Sequence, residues 1–249
     1  MKNKKFAIVA VSLGFILAVG MTMNAEVSIR QGINGRVHEI KMPLYIKAME
    51  FLSRHYEYQR ITREIIGGCN SDEEKVLAIL IWTHSNIRPT PSGFPVTDDH
   101  ILNIIIRGYG SADQSQDVFT NLCTYAGFPS FFMRAFTEDR RAYHVLSFVM
   151  LNGKWRVFDA YNKIFFQTRT GEIASIEDLT GDKSIIEDSD MANKLYMGIP
   201  YKEFYYGLKP IRIFTTLRPG KQMPLKRVIF EIKRVLGMEK EKLEDDRLR

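Results

Sequence analysis

The sequence predicts an α+β fold in which a block of helices precedes an antiparallel sheet. Apolar residues recur at helical spacing as far as Gly127, and the period changes to two from Phe131 onward. Asn152-Gly153 then separates two period-two runs, and both residues tolerate the positive φ of a type I′ turn. The chain has 249 residues, 45% apolar and 26% charged, which suits one sizeable core with terminal attachments. Its formal charge of +6 comes without a basic stripe interleaved with aromatics, so nucleic acid is not expected as a partner.

The first element is apolar. Lys2, Lys4 and Lys5 precede an uncharged run from Phe6 to Met23. As a helix that run spans roughly 27 Å, close to the thickness of a bilayer core. The preceding basic residues favour a cytoplasmic N-terminus and an exported remainder. Residues 1–25 are therefore expected to be a signal anchor spanning the membrane through 6–23. The alternative is a signal peptide cut after Gly20 or Ala25, giving a secreted protein, although neither site is a good Ala-x-Ala match.

Residues 26–70 read as a linker, polar over 24–36, followed by a helix from about Val37 to Ile66. Ser71 and Glu74 have the form of a capping box opening a helix to about Ile87, with Val76, Leu77, Leu80, Ile81 and Trp82 on its apolar face. Pro89, Pro91, Gly93 and Pro95 make a loop, and Asp98-Asp99 start a helix carrying Ile101, Leu102, Ile104, Ile105 and Ile106. Gly108-Tyr109-Gly110-Ser111 is a tight turn into a further helix ending at Gly127, whose inward face is Val118, Leu122, Cys123 and Ala126. Phe131–Phe136, Ala142–Leu151 and Lys154–Tyr161 are strands. Residues 71–200 form the domain, closing with a strand and turn over 162–170 and a short helix over 175–179. In the extension, 201–249, a helix from Pro224 carries Leu225, Val228, Ile229, Ile232, Val235 and Leu236 on one face with Lys226, Arg227, Lys233 and Arg234 around it. Such a stripe is expected to pack onto the domain or a partner, or to lie on an anionic membrane. The tail beyond Glu239 is dense in charge.

The hairpin register brings chemistry together. A two-residue turn makes Leu151 face Lys154, which places Leu146 opposite Asp159 and His144 opposite Tyr161. His144, Leu146 and Asp159 then share a face, and His144 and Asp159 are diagonal neighbours roughly 7–8 Å apart at the backbone. An imidazole–carboxylate hydrogen bond is within reach. It would fix the imidazole tautomer as in a nucleophilic triad, although a plain cross-strand pair accounts for the same two residues.

Upstream, Gly108-Tyr109-Gly110-Ser111-Ala112-Asp113-Gln114 leads through a helix to Ala126-Gly127-Phe128-Pro129 and a strand. Together with His144, Gly153-Lys154-Trp155 and Asp159 in that order, this resembles the transglutaminase-like superfamily over roughly residues 72–170. The resemblance implies a papain/transglutaminase-like core, with His144 and Asp159 in the positions of the catalytic pair. It also implies that Ala112 stands where the family has its nucleophilic cysteine. A methyl group cannot attack an acyl carbon, so the expectation is a catalytically silent domain, a pseudoenzyme, that binds a peptide, glycan or partner protein. The alternative is an active acyl-transfer or hydrolytic enzyme that uses Ser111 with His144 and Asp159, or water activated by His144; the simpler role of Ser111 is an N-cap. A third reading is a structural subunit of an envelope assembly. An open polar groove beside His144 would favour binding or catalysis, whereas a groove plugged by Phe, Tyr and Leu would favour a scaffold.

Cys123 lies on the same helix roughly 16 Å from Ala112 and reads as core, as does Cys69. Two cysteines are too few for a disulfide framework, although in an exported chain they could pair. His38, His55, His84 and His100 show no metal-ligand spacing, and neither a P-loop nor a dinucleotide fingerprint is present. No cofactor or metal is expected.

Overall fold

The computed structural model describes residues 2–31, 38–95, 100–209 and 217–238. The chain divides at Arg54–His55 into two compact units. The first opens with α1, Lys2–Met23. Its apolar residues from Val11 to Met21 are largely exposed, Val11 by 73% and Phe15 by 70%. Among the described residues no helix is long and apolar enough to cross a membrane, and the side chains of 6–10 lie outside them, so the expected span gains no support here.

The polar stretch expected as a linker is instead half of a hairpin. β1 (Glu26–Gln31) pairs antiparallel with β2 (His38–Pro43), setting Val27 against Met42 and Ile29 against Ile40. The period of two is present in both segments, with few apolar residues to announce it. Helix α2 consequently begins at Leu44, after Pro43, and runs to Ile66.

The second unit begins ahead of residue 71, because Tyr58 and Ile61 of α2 are buried in its core. α3 (Asp72–Asn86) is capped as its sequence demands: Glu74 N donates to Ser71 Oγ at 3.1 Å, and the Glu74 carboxylate accepts from Asn70 N at 2.7 Å. Its buried stripe is Val76, Ile79, Leu80 and Thr83, while Ile81 is exposed. β3 (Arg88–Pro89) pairs in parallel with β4 (Tyr109–Gly110), which follows α4 (Ile101–Arg107). The Asp98-Asp99 start lies outside the described residues; His100 is the N-cap.

α5 (Ala112–Tyr125) carries Val118, Leu122 and Cys123, all fully buried, into one face of a four-stranded antiparallel sheet. The strands are β5 (Ser130–Phe136), β6 (Tyr143–Leu151), β7 (Lys154–Asp159) and β8 (Ile164–Phe165), in that order. Alternation divides β6 between two cores. Val149 and Leu151 join α2 to α5, whereas Leu146 and Phe148 join a second cluster behind the sheet. That second cluster is built from α6 (Ile176–Gly181), α7 (Ser184–Glu187), the hairpin β9 (Leu195–Tyr196) and β10 (Ile199–Pro200), and α8 (Glu203–Tyr206). Tyr201, Phe204, Tyr205 and Leu208 are core residues, so the domain continues past 200. Cys69 and Cys123 are free thiols.

Gly207, at the end of α8, lies so close to β5 that a Cβ there would run into the Phe136 carbonyl oxygen. Backbone cannot yield as a side-chain tip can. Gly207→Ala is therefore expected to lower stability by about 1–3 kcal/mol, the usual range for overpacking. Urea unfolding of the two proteins measures it, and an unchanged midpoint would refute the contact.

A 3-10 turn, Arg218–Gln222, leads to α9 (Pro224–Val235). The apolar stripe of α9 does not pack on the domain: Leu225, Val228, Ile229, Ile232 and Leu236 are all exposed, and Phe230 is buried instead. The charged tail beyond 239 lies outside the described residues.

Candidate functional site

The turn between β6 and β7 forms as its residues require, with φ of 51° at Asn152 and 76° at Gly153. It fixes the register, Leu151 opposite Lys154 through Ser147 opposite Phe158. The ladder stops there, so Leu146–Asp159 and His144–Tyr161 are not paired, yet the direction of the strands is kept. His144 Nε2 lies 2.7 Å from Asp159 Oδ2, with the two side chains 1% and 0% exposed.

Asp159 is a convergence point. Oδ1 accepts from Gln116 Nε2 at 2.8 Å, Tyr161 N at 3.0 Å and Asn162 N at 3.2 Å. Oδ2 accepts from His144, from Asn162 Nδ2 at 2.7 Å and from the Tyr201 hydroxyl. Burial alone would push this carboxyl up. Hydrogen bonds from His144, Tyr201 and Asn162 and the attraction of the imidazole outweigh it and hold the group below the usual carboxylate range. An ionised Asp159 takes the proton-bearing side of the imidazole, which makes Nε2 the donor. His144 Nδ1 is buried and has no hydrogen-bond partner among the described residues. Burial and the Asp159 charge push the Tyr201 phenol well above its ordinary value, so it keeps the proton it donates.

Gln116 joins this pair to α5. Its Oε1 accepts from Ser147 Oγ at 2.6 Å and from Ala160 N at 3.1 Å, while its Nε2 serves Asp159. Ala112 is the first residue of that helix, one turn before Gln116 on the same face, about 6 Å along the axis. The helix start therefore lies beside the strand ends that carry the pair.

Aromatic rings close the space around the imidazole. Tyr196 stands edge-on to His144 with centroids 4.2 Å apart, Tyr201 at 5.6 Å and Phe204 at 5.7 Å. All three belong to the β9–β10 hairpin and α8 or the turn between them. Of the two outcomes weighed from sequence, the groove is plugged.

Residues 59–160 match the family described as the transglutaminase-like superfamily. That segment is a transglutaminase-like domain. Solved structures similar to the chain include a candidate cysteine protease from Cytophaga hutchinsonii, at 21% identity and a TM-score of 0.38 over 48% of this chain and 40% of that one. Others are a candidate protease from Parabacteroides distasonis, at 14% identity and TM-score 0.36 over 55% and 36% of the two chains, and a TGase, at 11% and 0.34 over 53% and 43%. The chain thus spans less than half the length of each. No curated protein matches it.

Within the transglutaminase-like domain, His144 and Asp159 meet as the sequence register requires. Ser111 does not join them. It caps α5, with its hydroxyl donating to the Asp113 carboxylate and its N–H to Gln114 Oε1 at 3.1 Å. Cys123 is sealed in the core, where burial pushes its thiol well above the ordinary value. Gln116, Asn162, Tyr196 and Tyr201 were not legible as site residues. Gln116 lies one turn beyond Ala112 on the same face, but with Gln114, Ser115, Asp117, Thr120 and Asn121 nearby it is one polar residue among several on α5 and does not stand out. Asn162 follows Asp159 closely enough for a side-chain turn. Tyr196 and Tyr201 act from some forty residues downstream, and nothing local marks them.

Proposed function

We propose that this chain is a catalytically silent transglutaminase-like protein that serves as a structural or interaction module. α1 holds it at a membrane, with the domain outside the cytoplasm. The observation that carries this reading is the closed site: His144 is 1% exposed beneath Tyr196, Tyr201 and Phe204, and Ala112 offers a methyl group at the helix start. A thiol at such a helix start is stabilised as thiolate by the N-terminal amides and a nearby imidazolium, and a methyl group has no acid to lose. The hydrogen bonds at Asp159 serve folding as directly as they would serve chemistry. The membrane part of the reading rests on Lys2, Lys4 and Lys5 ahead of the apolar run. The closed groove favours a scaffold over a module that takes ligand beside His144.

Diethylpyrocarbonate modification followed by peptide mapping tests the closed site. The exposed His84 is expected to react while His144 stays unmodified in the folded protein, and Tyr196→Ala is expected to make His144 reactive. In parallel, amine incorporation into an acyl-donor peptide is expected to stay at the level of buffer. Reaction of His144 at the rate of His84, or amine transfer abolished by His144→Ala, would overturn the reading.

A further inference from the structure

Helix α9 is mounted with its faces reversed. At 100° per residue, Val228, Ile232, Leu225, Leu236 and Ile229 occupy one arc of about 100°, and Phe230 projects from about 150° away. A surface helix of a globular protein turns its apolar arc inward. Here the arc is exposed, Leu225 by 73%, Ile232 by 53% and Leu236 by 64%, while Phe230 from the charged side is only 3% exposed. The Phe230 ring is clasped by Lys221 Nζ at 4.2 Å from its centroid, and Arg227 lies 5.9 Å away. The preceding turn is tied to α5 in its own right: Gln222 O accepts from Tyr125 OH at 2.9 Å, and Arg218 pairs with Asp117 at 3.1 Å. The helix is thus fastened by its polar side, and its aliphatic side is left outward.

The charges around that arc indicate what it meets. The helix has four basic side chains against one acid. Glu231 takes both arginines, Arg227 at 2.5 Å and Arg234 at 2.7 Å. Lys226 and Lys233 make no ion pair among the described residues, and both lie next to the Ile229 edge of the arc. Long lysine stems can lie along an apolar boundary with the ammonium raised into a layer of negative charge. An uninterrupted aliphatic arc edged on its Ile229 side by two lysines, with the acid at its Val228 side neutralised by Arg227 and Arg234, is complementary to acyl chains beneath anionic headgroups.

We propose that α9 is an interfacial helix that lays Leu225, Val228, Ile229, Ile232 and Leu236 into an anionic lipid surface, with Lys226 and Lys233 at the headgroups. This placement goes beyond the proposed scaffold role and does not depend on α1 being an anchor, so the test reads α9 itself. The full chain carrying Ile232→Trp is mixed with lipid discs whose acyl chains are brominated and quench indole on contact. One set is phosphatidylcholine alone, and the other includes phosphatidylglycerol. Trp82 and Trp155 supply the baseline in the unsubstituted chain.

Ile232→Trp is expected to be quenched several-fold more than that baseline on anionic discs, and little more than it on neutral ones. Adding Lys226→Glu and Lys233→Glu is expected to return the anionic signal to baseline. The proposal is overturned if the protein sediments with the discs while Ile232→Trp is quenched no more than the unsubstituted chain, which would leave α1 as the sole lipid contact. It is also overturned if soluble polyglutamate prevents the quenching and shifts the indole emission without lipid, the mark of an acidic protein partner. Concentration-dependent dimerisation abolished by Ile232→Glu, with no quenching on discs, would assign the arc to a second copy of the chain and overturn it equally.

Discussion

Asp159→Ala is expected to lower the unfolding free energy by about 3–5 kcal/mol at neutral pH, the loss typical of removing one partner from a buried charged network. Six hydrogen bonds end on this carboxylate, and its removal leaves Gln116, His144 and Tyr201 with buried donors unmatched. The sign of the pH dependence follows from the depressed carboxyl. A folded-state value below the unfolded one stabilises the fold above the unfolded value of about 3.9, and the contribution disappears as pH falls through the folded value. The parent protein should therefore lose stability below about pH 4, and Asp159→Asn should show a flatter acid limb. Urea unfolding across that range measures both. A variant within about 1 kcal/mol of the parent would mean the network adds no more than an exposed ion pair.

Ala112→Cys is expected to create a thiol that reacts with iodoacetamide below the range of an ordinary cysteine. The first turn of α5 directs its amides at the position, although the Gln114 N–H already donates to Asp113 Oδ1 at 3.0 Å, and helix N-termini lower thiol values to about 3.5–7.5. Asp113, next in the chain, opposes this with its own charge, so a value near 7 is reasonable within that range. At pH 6.5 such a thiol is about 25-fold richer in thiolate than one at about 8.5, while its lower basicity makes each thiolate about five-fold slower. A net acceleration of about five-fold remains, so the midpoint of the pH profile is a sharper readout than the rate. Cys69 is replaced beforehand; Cys123 can stay, since it is fully buried. Tyr196→Ala in the same protein should lower the midpoint further by opening His144. A profile centred near 8.5 in both proteins would mean that His144 and Asp159 are a plain cross-strand pair.

The meeting of His144 and Asp159 could be read from sequence because a two-residue turn converts residue numbers into pairing. The strands and α5 were equally legible, since each carries an unambiguous period. The β1–β2 hairpin was not, because four apolar residues spread over two strands give too weak an alternation to compete with a linker. The orientation of α9 failed for a different reason. Its periodicity shows which side is apolar and says nothing about which side docks; Phe230, Lys221 and the Arg218–Asp117 pair decide that, and they are tertiary contacts. The closure of the site failed most completely, because Tyr196, Tyr201 and Phe204 are far downstream and lack any local mark of their role.

The placement of those three rings also sets an order of events. Chain emerging from the ribosome completes α5 and the sheet through β8 before Tyr196 exists. Until residues 195–208 arrive, the layer over Leu146, Phe148 and Val157 has only α6 and α7, without Tyr201, Phe204, Tyr205 and Leu208, and Asp159 lacks the Tyr201 hydroxyl. A polypeptide halted between Glu187 and Tyr196 therefore presents one finished face and one partly covered apolar face, the kind of surface that chaperones hold and neighbouring chains stick to. Translation has to pass Leu208 before the sheet is safe on both sides.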